Sequence, residues 1–255
     1  AGNSDRFYRE GMKASEQAPA WLKAQGLTAY EYAAGHGVAI GEESARRLGE
    51  AARQSGVAVS IHAPYYINLC SFEPERIEKS IGYLVSAARA VAWFGGDRVV
   101  FHLGTPGKLA RAEALRAAAA SLDQAWRRLD QEGLSHIRLC PETMGRPSQV
   151  GTLQEILTLC RRDERMIPTL DFGHLHAAKG GAMRGPSEFE AVLRAMIDAL
   201  GRERAASFHS HFSRIEFTAK GERRHMTFAD QAYGPDFGHL APLLYRYRLE
   251  PTFIC

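Results

Sequence analysis

Short β-rich segments alternate with helical segments along the chain, and this alternation limits the possible folds more than any other feature. Seven β-rich segments occur: AYEYA (29–33), VAVSIHAP (57–64), DRVVFHLG (97–104), IRLCPETM (137–144), MIPTLDFGH (166–174), ASFHSHFS (206–213) and PTFIC (251–255). Between them, Ala and Leu recur at helical spacing, for example in residues 41–56 and 111–133. Strands that are separated by helices pair in parallel, because a parallel connection needs a crossover. The chain is therefore predicted to be an α/β protein with a parallel sheet.

The length of 255 residues fits a single (β/α)₈ TIM barrel, which usually takes about 250 residues. The main alternative is a doubly wound open sheet, but the glycine-rich dinucleotide-binding turn is absent, and GTPGK (104–108) lacks the Walker spacing. We predict one TIM barrel domain over residues 1–255. Because the chain begins at Ala1 without Met and ends on a strand-like segment, we expect the first strand and the C-terminal end of the barrel to be missing.

The composition is that of an ordinary globular protein, with 45% hydrophobic and 24% charged residues. The net charge of +3 is too small to indicate nucleic-acid binding by itself. The four cysteines (Cys70, Cys140, Cys160 and Cys255) show no C-x-x-C spacing, so we predict no disulfide framework and a cytoplasmic location. No apolar run approaches the roughly 20 residues of a membrane helix, so we predict no membrane association. We also expect a monomer.

Five consecutive predicted strands end in residue types that bind metal ions. These residues are His62, His102, Glu142, Asp171 together with His174, and His211. The C-terminal ends of barrel strands form the active-site face. One histidine or carboxylate there usually forms a hydrogen bond or caps a helix, but their joint occurrence favours a metal site. Such ligands suit Zn²⁺, with Mn²⁺ as the alternative.

With His225, these residues give seven candidate ligands, whereas a catalytic zinc usually takes three protein ligands and water. We therefore predict two or three ions that share a carboxylate, an arrangement suited to phosphoryl chemistry. His209 lies two residues before His211, so it should point to the same side, one layer deeper, and contact a ligand or the core. His176 is expected to be exposed.

The segments SIHAPYYINL, VVFHLG, PETMG, LDFGHLHA and HSHFS resemble, in this order, the strand-end motifs of endonuclease IV-type apurinic/apyrimidinic endonucleases. AGNSD resembles the segment that follows their first strand. Each motif is short, but the ordered set runs along nearly the whole chain. It is specific for a superfamily that also contains xylose isomerase-like sugar isomerases and epimerases. The resemblance implies a zinc-dependent DNA repair enzyme that hydrolyses the phosphodiester 5′ to an abasic site in double-stranded DNA.

The resemblance also implies how the ligands are shared. One metal would be held by His62, His102 and Glu142. Glu142, the central catalytic residue, would bridge to a second metal held by Asp171 and His211, and a third would be held by His174 and His225.

The sequence departs from the family at two places. The third-metal motif of the family is Asp-x-His, but this chain reads GERRH (221–225), with Arg223 in the place of the aspartate. Glu222 could substitute only if the register of the loop shifts; otherwise we expect the third ion to be weak or absent. The glutamate ligand of the last family strand would come directly after Cys255.

The resemblance places Tyr65 and Tyr66 where the family inserts side chains into damaged duplex DNA, and His36 near a DNA-probing position. Alternatively, both tyrosines pack under a neighbouring loop at the rim. Two other functions remain open. A single-metal sugar isomerase or epimerase would use Glu142, Asp171 and His211 to hold Mn²⁺ or Mg²⁺, and a non-catalytic protein would bind damaged DNA without cleaving it.

Overall fold

Seven parallel strands form the wall of a TIM barrel in this computed structural model, which describes residues 4–255. The strands are β1 (Ala29–Ala33), β2 (Ala58–His62), β3 (Arg98–Phe101), β4 (Arg138–Pro141), β5 (Thr169–Asp171), β6 (His209–His211) and β9 (Thr252–Ile254). They pair in the orders β1-β2-β3-β4 and β5-β6-β9, and the bridges Leu139–Met166 and Glu142–Thr169 join the two groups. The TIM barrel prediction is confirmed. The first three residues of the AGNSD motif lie outside the described residues.

Helices cover the outside of the strands and lie between them in the chain. They are α1 (Asp5–Arg9), α2 (Ala18–Ala24), α3 (Glu42–Ser55), α4 (Pro74–Phe94), α5 (Arg111–Gln131), α6 (Leu153–Cys160), α7 (Phe172–Ala178), α8 (Pro186–Leu200), α9 (Arg202–Ala206) and α10 (Ala241–Tyr247). Helix α3 buries Ala45, Leu48 and Ala52, which recur on one side, and it stops at Gly56, whose φ of 64° suits glycine. In residues 4–255, no helix is both long and apolar enough to cross a membrane.

The strands lie between the interior of the barrel and the helices, so both of their faces are buried. Ile61, Val99, Val100, Leu139 and Leu170 are all fully buried. Burial on both faces explains why the sequence shows continuous apolar runs in the strands rather than alternation of apolar and polar residues.

An antiparallel hairpin, β7 (Arg214–Thr218) and β8 (Gly221–Met226), follows β6 and was not predicted. GERRH (221–225) was predicted to lie in a loop, which is wrong. The segment GERRHM is mostly polar, so it lacks the apolar pattern that indicates a strand. It forms a strand because its backbone pairs with that of β7.

Glu155 joins the start of α6 to the start of α5. Its carboxylate accepts hydrogen bonds from the backbone N–H groups of Gly151 and Thr152, at 2.9 and 2.8 Å. It also accepts bidentate hydrogen bonds from the Arg111 guanidinium, at 2.6 and 2.9 Å. Burial raises the pKa of Glu155, but these hydrogen bonds outweigh burial, so the pKa lies below its ordinary value of 4.5.

Glu155→Ala is expected to lower the free energy of unfolding by about 1–3 kcal/mol, because it removes hydrogen bonds to a charged group and a helix cap. The pKa of Glu155 is lower in the folded chain, so this stabilisation is present above the unfolded value and is lost as pH falls through the folded value. Urea unfolding at pH 7 and in acid measures both effects. Gln154→Ala, an exposed change in the same turn, is the control; equal stability of the two variants at pH 7 would contradict the prediction.

Candidate metal centre

Five consecutive strands bring their terminal residues to one rim of the barrel. His62, Asp171 and His211 are the last residues of β2, β5 and β6. His102 and Glu142 directly follow β3 and β4. Because the strands run in parallel, these ends meet at the same edge, and the five side chains that the sequence singled out are neighbours.

Glu142 lies at the centre of the cluster, with 1% of its surface exposed. Its Oε2 atom is 3.2 Å from His62 Nε2 and 3.0 Å from His102 Nε2. Its Oε1 atom is 2.8 Å from His211 Nδ1 and 3.5 Å from His174 Nδ1. The two carboxylate oxygens therefore face two different groups of imidazoles.

Asp171 ends β5 and also caps α7, since its Oδ1 accepts a hydrogen bond of 2.7 Å from the backbone N–H of His174. The predicted strand 166–174 was thus too long, and His174 lies in the first turn of a helix. The other oxygen, Oδ2, is 3.6 Å from His174 Nδ1 and 3.8 Å from His211 Nδ1. Asp171 is therefore placed between these two histidines.

The hairpin β7–β8 contributes two further side chains to the cluster. Glu222 Oε2 lies 3.2 Å from His174 Nε2, and the His225 ring lies 5.1 Å from the His174 ring. Arg223 points away from the cluster, and its guanidinium donates to Glu216 Oε1 at 2.6 Å. The register shift that the sequence required for Glu222 is present.

A β-bulge causes this orientation. Glu216 pairs with Arg224 and the next residue, Phe217, pairs with Glu222, so Arg223 has no partner across the hairpin. Without the extra residue, side chains three apart in a strand would point to opposite faces. With it, Glu222 and His225 both line the cavity at the rim, whereas Arg223 does not.

Glu31 was not among the predicted site residues; it lies in the middle of β1 and is 1% exposed. Its carboxylate contacts His209 Nε2 at 3.0 Å and His211 Nε2 at 2.8 Å. An acidic residue inside the otherwise apolar AYEYA strand was the available signal. His209 is fully buried, as expected, but His176 is buried too, so its predicted exposure was wrong. The His176 ring packs 5.5 Å from that of Phe217 on the hairpin.

The pKa values of Glu142 and His211 are shifted in opposite directions by their contact with each other. Burial alone raises the pKa of Glu142, but charged His211 and the hydrogen bonds from His102, His211 and His62 hold it well below 4.5. Burial alone lowers the pKa of His211, but Glu142 and Glu31 raise it well above 6.5. Burial also lowers the pKa of His102. Glu142 therefore stays ionised beside a protonated His211 at neutral pH, and a metal ion would take the place of the proton between them.

The donor set fits metal ions. Four groups of three residues place one ligand atom each within 4.8 Å of one another: His62–His102–Glu142, Glu142–Asp171–His211, Asp171–His174–His225 and Glu31–His209–His211. Glu222 Oε2, which lines the same cavity, is buried and lacks a hydrogen-bond partner. Imidazole nitrogens and carboxylate oxygens without thiolates match the preferences of zinc and manganese.

The cluster forms the floor of an open cavity of about 900 Å³. The Tyr65 ring stacks on His102 at 5.5 Å and is half exposed at the cavity wall. The Tyr66 ring is 58% exposed, and its hydroxyl lies 3.1 Å from Nδ1 of exposed His36. Both tyrosines contact the loop after β1, Tyr65 through Gly35 and Tyr66 through His36, and both rings remain half exposed. Tyr65, His102 and Gln149 also line a second groove of about 700 Å³.

Comparison with known proteins gives a consistent family. Residues 19–249 match the xylose isomerase-like TIM barrel family. An uncharacterized protein of Methanocaldococcus jannaschii is 29% identical over 234 residues, which are 92% of this chain and 83% of that protein. A probable endonuclease 4 of Acholeplasma laidlawii is 27% identical over 170 residues, which are 65% of this chain and 56% of that protein.

Two solved structures are similar over nearly the whole chain. Endonuclease IV from Thermus thermophilus has a TM-score of 0.67 at 25% identity, covering 96% of this chain and 89% of that one. A 3-keto-D-glucoside 4-epimerase from E. coli has a TM-score of 0.70 at 14% identity, covering 99% and 89%. The second likeness concerns the fold alone.

Proposed function

Because the chain belongs to the xylose isomerase-like TIM barrel family, we propose that it is a zinc-dependent endonuclease that hydrolyses DNA on the 5′ side of abasic sites. The observation that carries this proposal is the geometry of Glu142. One of its oxygens faces His62 and His102, and the other faces His211. A carboxylate in this position suits a bridge between two ions.

A single-ion site would leave part of the cluster without a role. Glu142, Asp171 and His211 together could hold one Mn²⁺, as a sugar isomerase or epimerase needs. In that case His62 and His102, which both contact Glu142, would bind no metal ion. Glu222 and His225, which the hairpin carries to His174, would also lack a function. Two or three ions account for all of these residues.

In this proposal, the ions would polarise the phosphate oxygens and lower the pKa of an attacking water. Glu142 holds the two ligand groups at a fixed separation because it is buried and contacted on both oxygens. Asp171 orients His174 through the helix cap, and the Thr143 carbonyl accepts a 2.9 Å hydrogen bond from His174 Nδ1. A rigid set of ligands needs little reorganisation during the reaction.

An extended substrate fits the surroundings of the cluster better than a small sugar. The cavity continues past Tyr65 and Gln149 into the second groove, whose wall carries two more rings and charges of both signs (Tyr66, Tyr83, Lys79, Arg76, Glu73 and Glu75). Aromatic rings with adjacent basic groups suit a nucleic-acid strand, since bases stack on rings and phosphates attract cations. The match to endonuclease IV of Thermus thermophilus supports the same choice.

The deciding experiment measures metal content and two activities on one preparation. We expect two or three zinc ions per chain and incision of a duplex that carries one tetrahydrofuran abasic analogue, with no incision of the undamaged duplex. The same preparation is loaded with Mn²⁺ and given ketohexoses. One Mn²⁺ per chain with sugar epimerisation and no incision would favour the sugar isomerase instead, and binding without incision would favour a non-catalytic protein.

Tyr66→Ala is expected to weaken binding of the abasic duplex, with unchanged zinc content. A base stacked on an aromatic side chain contributes about 1–3 kcal/mol, which the variant would lose. Tyr66→Phe keeps the ring and removes only the contact to His36, so it should bind almost as the wild type does. Fluorescence anisotropy with abasic and undamaged duplexes measures the difference; equal binding by the Ala and Phe variants would argue against stacking.

A further inference from the structure

Glu31 is a buried carboxylate beneath the metal cluster, and each of its oxygens contacts an imidazole. Its Oε1 is 2.8 Å from His211 Nε2, and its Oε2 is 3.0 Å from His209 Nε2. We propose that Glu31 is a positioning residue, which keeps the proton of His211 on Nε2 so that the Nδ1 lone pair points to the metal. This proposal rests on metal binding in the proposed function.

The chemistry of the two groups fixes the direction of this hydrogen bond. An ionised carboxylate can only accept, so His211 Nε2 must carry the proton that faces Glu31. In the metal-free chain the Nδ1–H of charged His211 faces Glu142 Oε1; a bound cation would take the place of that proton, and the Nδ1 lone pair would then be its ligand. Nδ1 lies 2.8 Å from Glu142 Oε1 and 3.8 Å from Asp171 Oδ2. Three electron-donating atoms thus converge where one cation would be shared.

Other groups keep Glu31 itself in place. Its Oε2 accepts a second hydrogen bond, of 3.0 Å, from the hydroxyl of Ser60 on the neighbouring strand. Glu31 and His209 are 1% and 0% exposed, and a buried charge is tolerable only when hydrogen bonds satisfy it. His209 therefore supports Glu31 from below, and Glu31 supports His211.

Glu31 and His209 do not line the open cavity, unlike His211, Glu142 and Asp171. A metal ligand commonly donates its other ring N–H to a carboxylate, which sets the tautomer and ring orientation. Glu31, with its Oε1 on one side of His211 and the metal-facing atoms on the other, has this geometry. A role behind the ligand therefore fits better than a further ion between Glu31 and His209.

Glu31→Gln tests the proposal with little change in shape. The amide presents an N–H₂ group as well as an oxygen, so it no longer requires the proton of His211 to be on Nε2. We expect the affinity for one zinc ion to fall by about 10–100-fold, measured by competition with a chelator, while the remaining zinc is unaffected. Glu132→Gln, the same change at a carboxylate that pairs with Arg89 on the outside of the barrel, should stay close to the wild type.

Nitrogen-15 spectra of the histidine side chains provide a second readout that does not depend on a variant. In the wild type, with and without zinc, we expect an exchange-protected Nε2–H on His211, and its loss or broadening in Glu31→Gln. A bare Nε2 on His211 in the zinc-loaded wild type, which an ion at Glu31 would also cause, overturns the proposal. Wild-type zinc affinity in a folded Glu31→Gln protein overturns it as well.

The outcomes separate this proposal from the proposed function. A wild type that binds zinc but does not incise abasic DNA would refute the endonuclease, and the zinc affinities of the Glu31→Gln and Glu132→Gln proteins would still test the role of Glu31. A wild type that binds no zinc would refute the metal-dependent function, and the imidazole spectrum of the metal-free protein would still show whether the Nε2 proton of His211 is protected, as contact with Glu31 requires.

Discussion

Glu142→Gln is expected to remove at least one zinc ion per chain and nearly all incision at abasic sites. The amide keeps the size of the side chain but offers only one oxygen as a metal ligand. It therefore cannot provide one oxygen on the side of His62 and His102 and another on the side of His211. It also removes a negative charge from between two cations. Loss of a residue that contacts a ligand only from behind typically costs about 10–100-fold, and loss of the shared carboxylate should cost more.

The measurements are zinc content by mass spectrometry and single-turnover incision of a duplex with one abasic analogue. Glu132→Gln, which breaks an ion pair to Arg89 on the outside of the barrel, should keep both properties. Circular dichroism of the metal-free proteins checks that the barrel remains folded. If folded Glu142→Gln retained the wild-type zinc content and rate, Glu142 would not be the bridging ligand.

Glu222→Gln is expected to lose the zinc ion held near His174, while Arg223→Gln keeps it. Glu222 Oε2 is 3.2 Å from His174 Nε2, and its side chain is 16% exposed. The side chain of Arg223 is 67% exposed and pairs with Glu216 instead. Loss of a residue that only contacts a metal ligand typically costs about 10–100-fold, and we expect Glu222→Gln to reduce the incision rate by at least that factor. Arg223→Gln should change the rate little.

These two neighbouring substitutions test the β-bulge directly. A regular hairpin would turn residue 223 towards the cluster and residue 222 away from it. Zinc content and incision rate, measured for both variants at equal protein concentration, distinguish the two registers. A loss of zinc in Arg223→Gln with normal Glu222→Gln would mean that the hairpin has the regular register, and that the third ion is not held by Glu222.

The seven barrel strands could be predicted from the sequence because each one is marked by a pattern in its own residues. Apolar runs such as VAVSIHAP and DRVVFHLG are long enough to mark strands, and the helices between them require parallel pairing. Parallel pairing then brings all C-terminal strand ends to one rim. For that reason, the residues at those ends could be predicted as neighbours without knowledge of any distance.

Predictions from the sequence were wrong where the position of a side chain depends on contacts with residues later in the chain. His176 was expected to be exposed, but the hairpin packs Phe217 against it. Strand β8 (GERRHM) is polar apart from Met226, so although Ile215 and Phe217 alternate with polar residues in β7, the sequence did not show that residues 214–218 and 221–226 pair. Its bulge, which decides between Glu222 and Arg223, depends on which residues face each other across that pairing.

The sequence by itself therefore determined the barrel and grouped His62, His102, Glu142, Asp171 and His211 as candidate ligands, because local residue patterns indicate where each strand ends and in which direction it runs. Only the tertiary structure decided that Glu222 faces His174 and that Glu31 lies behind His211. Glu31 and His211 are 180 residues apart, on strands that do not pair with each other. Closure of the barrel brings them together, and no pattern within either strand carries that information.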